Sequence, residues 1–349
     1  MKRWVFAGGE IGGARALLPV LEAATAGGIP FSVVPFGVLG EEGERRGWLG
    51  ECSCREPQGV WGGDGVVGLV FSTPSREDPV PLCWARSARR AGLPVVFLLD
   101  NWMNYRRRLE MDGLPVLIPD RYAVMDALAR EEAVADGIPP EVIRVTGHPA
   151  LALLARERAR GGGGERGLVV FLSEPVSQDQ GEGPENPSFR GYTQEGVFRR
   201  LGALLRCTGE PWKLVVQPHP REDPEHWHDL FRSVWPGEGG VGLFSGGREA
   251  VWAARGVVGM ASVLLHEAWL LGKPVLSLQP GLRNPQFGGV LRRKEIFGVT
   301  DTKEGSAAEM AWLRALEKGT PVPRPELEEH AGAPDRVLAI MRELTEGIA

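Results

Sequence analysis

A chain of 349 residues is about twice the usual length of one domain, so two domains of about 150 to 200 residues are expected and a single small module is excluded. With 43% hydrophobic and 24% charged residues, its composition is that of a globular protein with a full core and not of a disordered one. The formal charge of -5, from 40 Lys+Arg against 45 Asp+Glu, argues against a general nucleic-acid or anionic-membrane binder and leaves room for a local basic cleft.

The N-terminal half opens strand, glycine loop, helix, strand: Trp4 to Ala7, Gly8 to Gly13, Ala14 to Ala26 and Phe31 to Phe36, a βαβ unit. Its apolar run is too short for a signal peptide. Further strands are expected at Val66 to Phe71, Val95 to Leu99 and Val116 to Ile118, with helices over Leu82 to Ala91 and Arg121 to Asp136. Four consecutive glycines inside a charge run, Arg156 to Gly167, pack poorly and mark a domain boundary. Beyond it, strands are expected at Leu168 to Leu172, Lys213 to Gln217, Val241 to Phe244, Val257-Val258 and Val275 to Leu278. Helices fall at Thr193 to Cys207, Pro224 to Val234, Arg248 to Ala254, Ser262 to Leu271, Ser306 to Lys318 and Pro334 to Glu346. The alternation predicts an α/β protein of two Rossmann-like domains, residues 1–158 and 159–332, facing across a cleft, with a terminal helix at 333–349 that crosses back to the first domain. No window reaches the 18 or more apolar residues of a membrane span. The four cysteines, 52, 54, 83 and 207, are too few for a disulfide scaffold and do not form the paired spacing of a zinc ribbon, so a reducing cytoplasm is the expected compartment.

Five segments carry candidate chemistry. Gly9 and Gly12 have the spacing of two dinucleotide-fingerprint glycines, so bare backbone beside Glu10 and Arg15 would approach a ligand at a helix N-terminus; a plain strand-to-helix turn explains the loop equally well. No carboxylate ends the second strand, which argues against a nicotinamide site. Asp100 falls where an apolar strand ends, followed by Asn101, Trp102, Asn104 and three arginines. It is a candidate base for an acceptor hydroxyl, or a helix cap before a solvated basic face. His148, in Thr146-Gly147-His148-Pro149, either faces the cleft or belongs to a strand-ending turn. His219 ends a strand between Pro218 and Pro220, which hold the imidazole where a phosphate would sit. Finally, Gly259-Met260-Ala261-Ser262 turns a strand into a helix, so that free amides and a hydroxyl converge on an anion, while Glu267 lies five residues on, placed for ribose hydroxyls. Capping by Ser262 with an exposed Glu267 is the simpler alternative.

The order of these pieces resembles the GT-B superfamily, the two-Rossmann glycosyltransferases and the hydrolysing UDP-N-acetylglucosamine 2-epimerases. The resemblance rests on the Gly8 to Gly13 loop, the Thr146 to Pro149 exit, His219-Pro220 and the Gly259 to Pro274 block. It implies that Gly259, Met260, Ala261 and Ser262 hold donor phosphate, that Glu267 holds ribose, and that His219 with Pro220 meets the donor phosphate. The His-Pro pair is similar to that of bacterial cytidine-nucleotide sugar transferases, which makes CMP-, CDP- or UDP-linked sugars the expected partners. Three departures stand out. The epimerases carry His followed by Arg-Arg-Glu-Asn where this chain has His219-Pro220-Arg221-Glu222-Asp223. They carry two adjacent glutamates where it has His266-Glu267. The serine pair of many cytidine-nucleotide enzymes is Ala261-Ser262 here. The expected activity is therefore metal-independent and cofactor-free sugar transfer from a nucleotide donor, with Asp100 and His219 as the catalytic pair and Gly9, Glu10, Gly12, Arg15 and His148 on the acceptor side. A nucleotide-sugar 2-epimerase and a non-catalytic binding member of the fold are the alternatives. Peripheral membrane contact and a homo-oligomer stay open.

Overall fold

The computed structural model describes residues 2–49, 57, 61, 65–73, 79–157, 164–292, 296–318 and 322–346. Cys52, Cys54 and Gly161 to Gly163 lie outside them. Two compact units result, Met1–Arg156 joined by Glu326–Ala349, and Glu157–Pro325.

The first unit is built on a six-stranded sheet: β1 (Arg3–Ala7), β2 (Phe31–Val33), β3 (Val66–Phe71), β4 (Val95–Leu98), β5 (Arg121–Val124) and β6 (Ile143–Val145). Its order is β2-β1-β3-β4-β5-β6, with every pair parallel. The strands are continuous apolar runs, the pattern of a sheet covered on both faces. The terminal helix Ala333–Glu346 lays Val337, Leu338 and Met341 against Leu17, Val20 and Leu21 of the helix Ile11–Ala26. Two expected elements differ. Val116 to Ile118 is not a strand, because Pro115 and Pro119 flank it and Pro lacks a ladder donor. The strand instead is β5, whose Tyr122 and Ala123 pair with Ile143 and Arg144, and the following helix starts only at Ala127, capped by Asp126 accepting from the Ala129 amide at 2.7 Å. The helix Ile11–Ala26 begins three residues before the expected Ala14, so Gly12 and Gly13 lie within its first turn.

The second unit repeats the plan with β7 (Leu168–Leu172), β8 (Lys213–Gln217), β9 (Gly239–Val241), β10 (Gly256–Gly259), β11 (Val275–Leu278) and β12 (Phe297–Val299). The order is β12-β11-β10-β7-β8-β9, again all parallel. Phe171, Phe198 and Trp227 pack ring against ring at its centre, with centroids 5.5 to 5.9 Å apart. β12 and the helices Gly37–Arg46 and Pro149–Glu157 are additions to the expected elements. β9 lies two residues ahead of the expected run, pairing with Leu214 to Val216.

Candidate functional site

In the second unit the strand order runs from β7 through β8 to β9 on one side and then restarts at β10 on the other side of β7. The point where the order reverses, between the carboxyl ends of β7 and β10, is where open α/β sheets bind ligands. Three loops meet there from adjacent strands: Ser173-Glu174 after β7, Pro218 to Glu222 after β8, and Met260 to Ser262 after β10.

The β10 turn is held from below. Gly259 is buried, and a Cβ there would lie 3.1 Å from the Leu172 carbonyl oxygen, a tight contact, so the close approach of β10 to β7 favours glycine. Met260 is buried, and its carbonyl accepts from Ser277 Oγ at 2.6 Å and Gln279 Nε2 at 2.9 Å. Ser262 caps the helix Val263–Leu270, its Oγ accepting from the Leu264 amide at 3.3 Å. The amides of Ala261 and Ser262 both donate to Oε1 of Glu174, at 2.7 and 2.9 Å. An anionic oxygen thus occupies the position that the sequence assigns to a phosphate, supplied by the protein's own side chain.

Glu174 keeps only 17% of its side chain exposed. Burial pushes its carboxyl above the usual range, against the opposing pull of Arg190 and the backbone donors. Arg190 is 8% exposed, with Nη1 3.8 Å from Glu174 Oε2 and its guanidinium 3.8 Å above the Phe287 ring. Among the described residues, Arg190 Nε and Nη1 are buried and make no hydrogen bond. The backbone around it is fixed: its carbonyl accepts from the Arg283 amide at 2.8 Å, Gly191 adopts φ 107° against the Gly281 carbonyl, and Tyr192 donates to Gln279 Oε1 at 3.0 Å.

After β8, the Glu222 carboxylate closes the turn, accepting from the His219 amide at 2.8 Å and from Ser173 Oγ at 2.9 Å. Burial pushes its carboxyl up. His219 is half-buried and its Nδ1 accepts from the Arg221 amide at 3.2 Å, so a neutral ring carries its proton on Nε2, a donor suited to phosphate oxygen. Pro220 is exposed. Arg221 makes a two-pronged pair with Asp179, both contacts 2.8 Å.

Glu267 is 3% exposed and takes Arg248 Nε and Nη2 on its two oxygens, each at 2.8 Å. This pair ties the helix Gly247–Ala253 to Val263–Leu270, so the carboxylate expected at ribose is already oriented by a cation. Lys273, buried, donates to the carbonyls of Trp252 and Ala254 and is pushed down to about 8 by burial and by Arg255.

In the first unit the expected acceptor-side residues are spread over separate tasks. Asp100 is 7% exposed and ion-paired with Arg108, which also donates to the carbonyls of Thr73 and Met103 at 3.0 Å each. His148 is 4% exposed: its Nε2 donates to the Asp100 carbonyl at 2.9 Å, and its Nδ1 accepts from the Ala150 amide at 3.2 Å at the start of the helix Pro149–Glu157. Its own amide donates to His330 Nδ1 at 3.0 Å. Gly9 is buried with its carbonyl taken by the Val38 amide at 2.8 Å, whereas Glu10 and Arg15 are exposed and Gly12 is half-buried. Among the described residues no group of three or more His, Cys, Asp and Glu side chains is placed to hold a metal ion, and no helix is long and apolar enough to cross a membrane.

No family model and no curated protein sequence matches the chain. Solved structures do. A UDP-N-acetylglucosamine 2-epimerase from Rickettsia bellii matches over 100% of this chain and 98% of its own, with a TM-score of 0.59 at 13% identity. The UDP-GlcNAc 2-epimerase from Neisseria meningitidis bound to UDP-GlcNAc gives a TM-score of 0.59 at 12% identity, over 98% of this chain and 100% of its own. HepE from Anabaena in complex with UDP gives 0.53 at 14% identity, over 100% and 99%. At such identities the likeness is one of fold, and it spans both units: the chain has the GT-B fold of two Rossmann-like domains.

Proposed function

We infer that the chain is an enzyme acting on a nucleotide-sugar, and that its reaction is transfer of the sugar to an acceptor hydroxyl, in surface or cell-wall polysaccharide assembly in the cytoplasm. The observation that carries the reading is the pair of amides of Ala261 and Ser262 converging on one anionic oxygen at the strand-order reversal of the second unit. Such amides suit a nucleotide phosphate. Solved structures of the same fold in complex with UDP or UDP-GlcNAc support the choice of ligand.

In this reaction the acceptor oxygen bonds to the anomeric carbon as the bond from that carbon to the phosphate oxygen breaks. The nucleotide leaves with the electron pair, and the acceptor proton passes to a base. The Ala261 and Ser262 amides, the helix N-terminus behind them and His219 Nε2–H neutralise the charge that grows on the leaving phosphate. Glu267, oriented by Arg248, still has acceptor capacity for ribose hydroxyls. Asp100, committed to Arg108, serves as a positioning residue for the 100–108 segment rather than as the base.

A second reading, hydrolysing 2-epimerisation, is favoured by the names of the matching structures. A thermal-shift screen with CMP, CDP, UDP and GDP tests the shared premise. A nucleotide at about 100 times its Kd adds about 2.7 kcal/mol, and absence of any shift defeats both readings. Incubation with UDP-N-acetylglucosamine then separates them: release of UDP together with a new free sugar, without an acceptor, selects the epimerase.

A further inference from the structure

We propose that Glu174 is an internal competitor for the phosphate seat, holding the Ala261 and Ser262 amides until a ligand phosphate displaces it, and that Arg190 is the fixed cation that serves whichever anion is seated. The proposal rests on the nucleotide-sugar reading above and adds to it two residues outside the five candidate segments.

The geometry supports exchange and not permanent structure. Glu174 Oε1 uses the same two donors, at 2.7 and 2.9 Å, that the turn would offer a phosphate oxygen, so the two anions exclude each other. Arg190 faces the seat without being consumed by it. Its Nη1 stands 3.8 Å from Glu174 Oε2, an ion-pair distance beyond hydrogen-bond range, and its buried Nε and Nη1 make no hydrogen bond among the described residues. A buried guanidinium with unused donors is costly unless an acceptor arrives, and a phosphate, with more acceptor oxygens than a carboxylate, satisfies the amides and the guanidinium together. The cation is packed in place. Phe287 lies under it, the Arg283 amide holds its carbonyl, and Gly191 packs its chain against Gly281. Glu174, by contrast, is held in the seat only through its carboxylate, by the two amides and the Arg190 charge, so rotation about its side-chain bonds is the proposed route of release.

The arrangement makes the ligand's phosphate compete with a carboxylate at effectively intramolecular concentration, so the site discriminates by charge. A neutral group does not displace Glu174, whereas the anionic phosphate oxygens of a nucleotide do. The test is calorimetric titration of CMP, CDP, UDP and GDP, with inorganic pyrophosphate as a sugar-free and base-free probe, into the wild-type protein and three variants. Glu174→Gln removes the competing charge and is expected to tighten nucleotide binding at least about tenfold. Glu174→Asp, one methylene too short to reach both amides, is expected to tighten it less but in the same direction, which keeps the test decisive should the first variant fail to fold. Arg190→Gln is expected to weaken binding about tenfold or more. A nucleotide that binds the wild-type protein with affinity unchanged or lowered in both Glu174 variants overturns the competitor assignment and leaves the nucleotide-sugar reading standing. Binding undiminished in Arg190→Gln overturns the role of Arg190. Absence of binding by all five probes to wild type and variants alike defeats the nucleotide-sugar reading itself.

Discussion

The two units answer the same topological problem in opposite ways. Each has a point where the strand order reverses, β1 against β3 in the first and β7 against β10 in the second. In the first unit several of the polar groups near it are spent on one another. The Ser72 amide donates to Ala7, Arg108 donates to Thr73, the Gly9 carbonyl receives Val38, and the Asp100 carboxylate receives Arg108. In the second, two amides hold a side chain from a neighbouring loop, and a buried guanidinium stands by with donors that find no hydrogen bond among the described residues. A carboxylate at the end of a strand is therefore not informative by itself. Asp100 is closed in by an arginine on its own loop, while Glu174 lies on donors that an exogenous anion could use.

The largest effect that separates the two sites is on stability. Arg108→Met leaves Asp100 buried without its counter-charge and is expected to cost roughly 3 to 5 kcal/mol in the first unit, read by chemical denaturation, with nucleotide affinity of the folded protein unaltered. A loss of affinity equal to that of a second-unit variant would show that the Asp100–Arg108 pair also serves nucleotide binding. Next comes Lys273, a buried cation whose partners are carbonyls and not a carboxylate. Its folded-state value near 8 lies below the unfolded value of about 10.5, so the unfolded chain binds more protons between these limits and stability rises with pH across that window. Relative to Lys273→Met, the wild-type protein should gain up to about 3 kcal/mol between pH 8 and 10.5, and a flat difference would show that the ammonium is not desolvated. His219→Ala should weaken nucleotide binding by about 1 to 3 kcal/mol with little change in melting temperature, and unchanged binding sinks its phosphate role. The smallest effect belongs to His148→Ala, which removes a helix cap worth about 0.5 to 2 kcal/mol and should leave nucleotide binding intact.

How far the sequence discloses this depends on whether the signal is local. β7, β8 and the helix Pro224–Val234 are legible to the residue, because unbroken apolar runs and an Asp-Pro start are local signals. β5 is not, since Arg121-Tyr122-Ala123-Val124 can extend either way and only pairing with β4 and β6 decides. The donor-site residues Gly259 to Ser262 and His219 are visible as strand ends. Glu174 has the same signature, directly after Leu168 to Leu172, and the rule that singles out Asp100 would have found it. Arg190 carries no such mark. It sits in a stretch rich in Gly and Pro, sixteen positions after Glu174, and only the fold of the β7–β8 connection brings the two charges to 3.8 Å.

The Met260 carbonyl, held from β11 by Ser277 and Gln279, has a consequence for the thermodynamics of binding. With that oxygen fixed from the sheet, the peptide planes that follow it are already oriented, so an incoming anion has little backbone freedom to quench and the entropic cost of capture falls on a few side chains. Gln279→Ala would loosen the turn without touching any ligand. Its signature would be binding that becomes entropically less favourable, by an amount that grows with temperature, while the enthalpy of the anion contacts stays where it was.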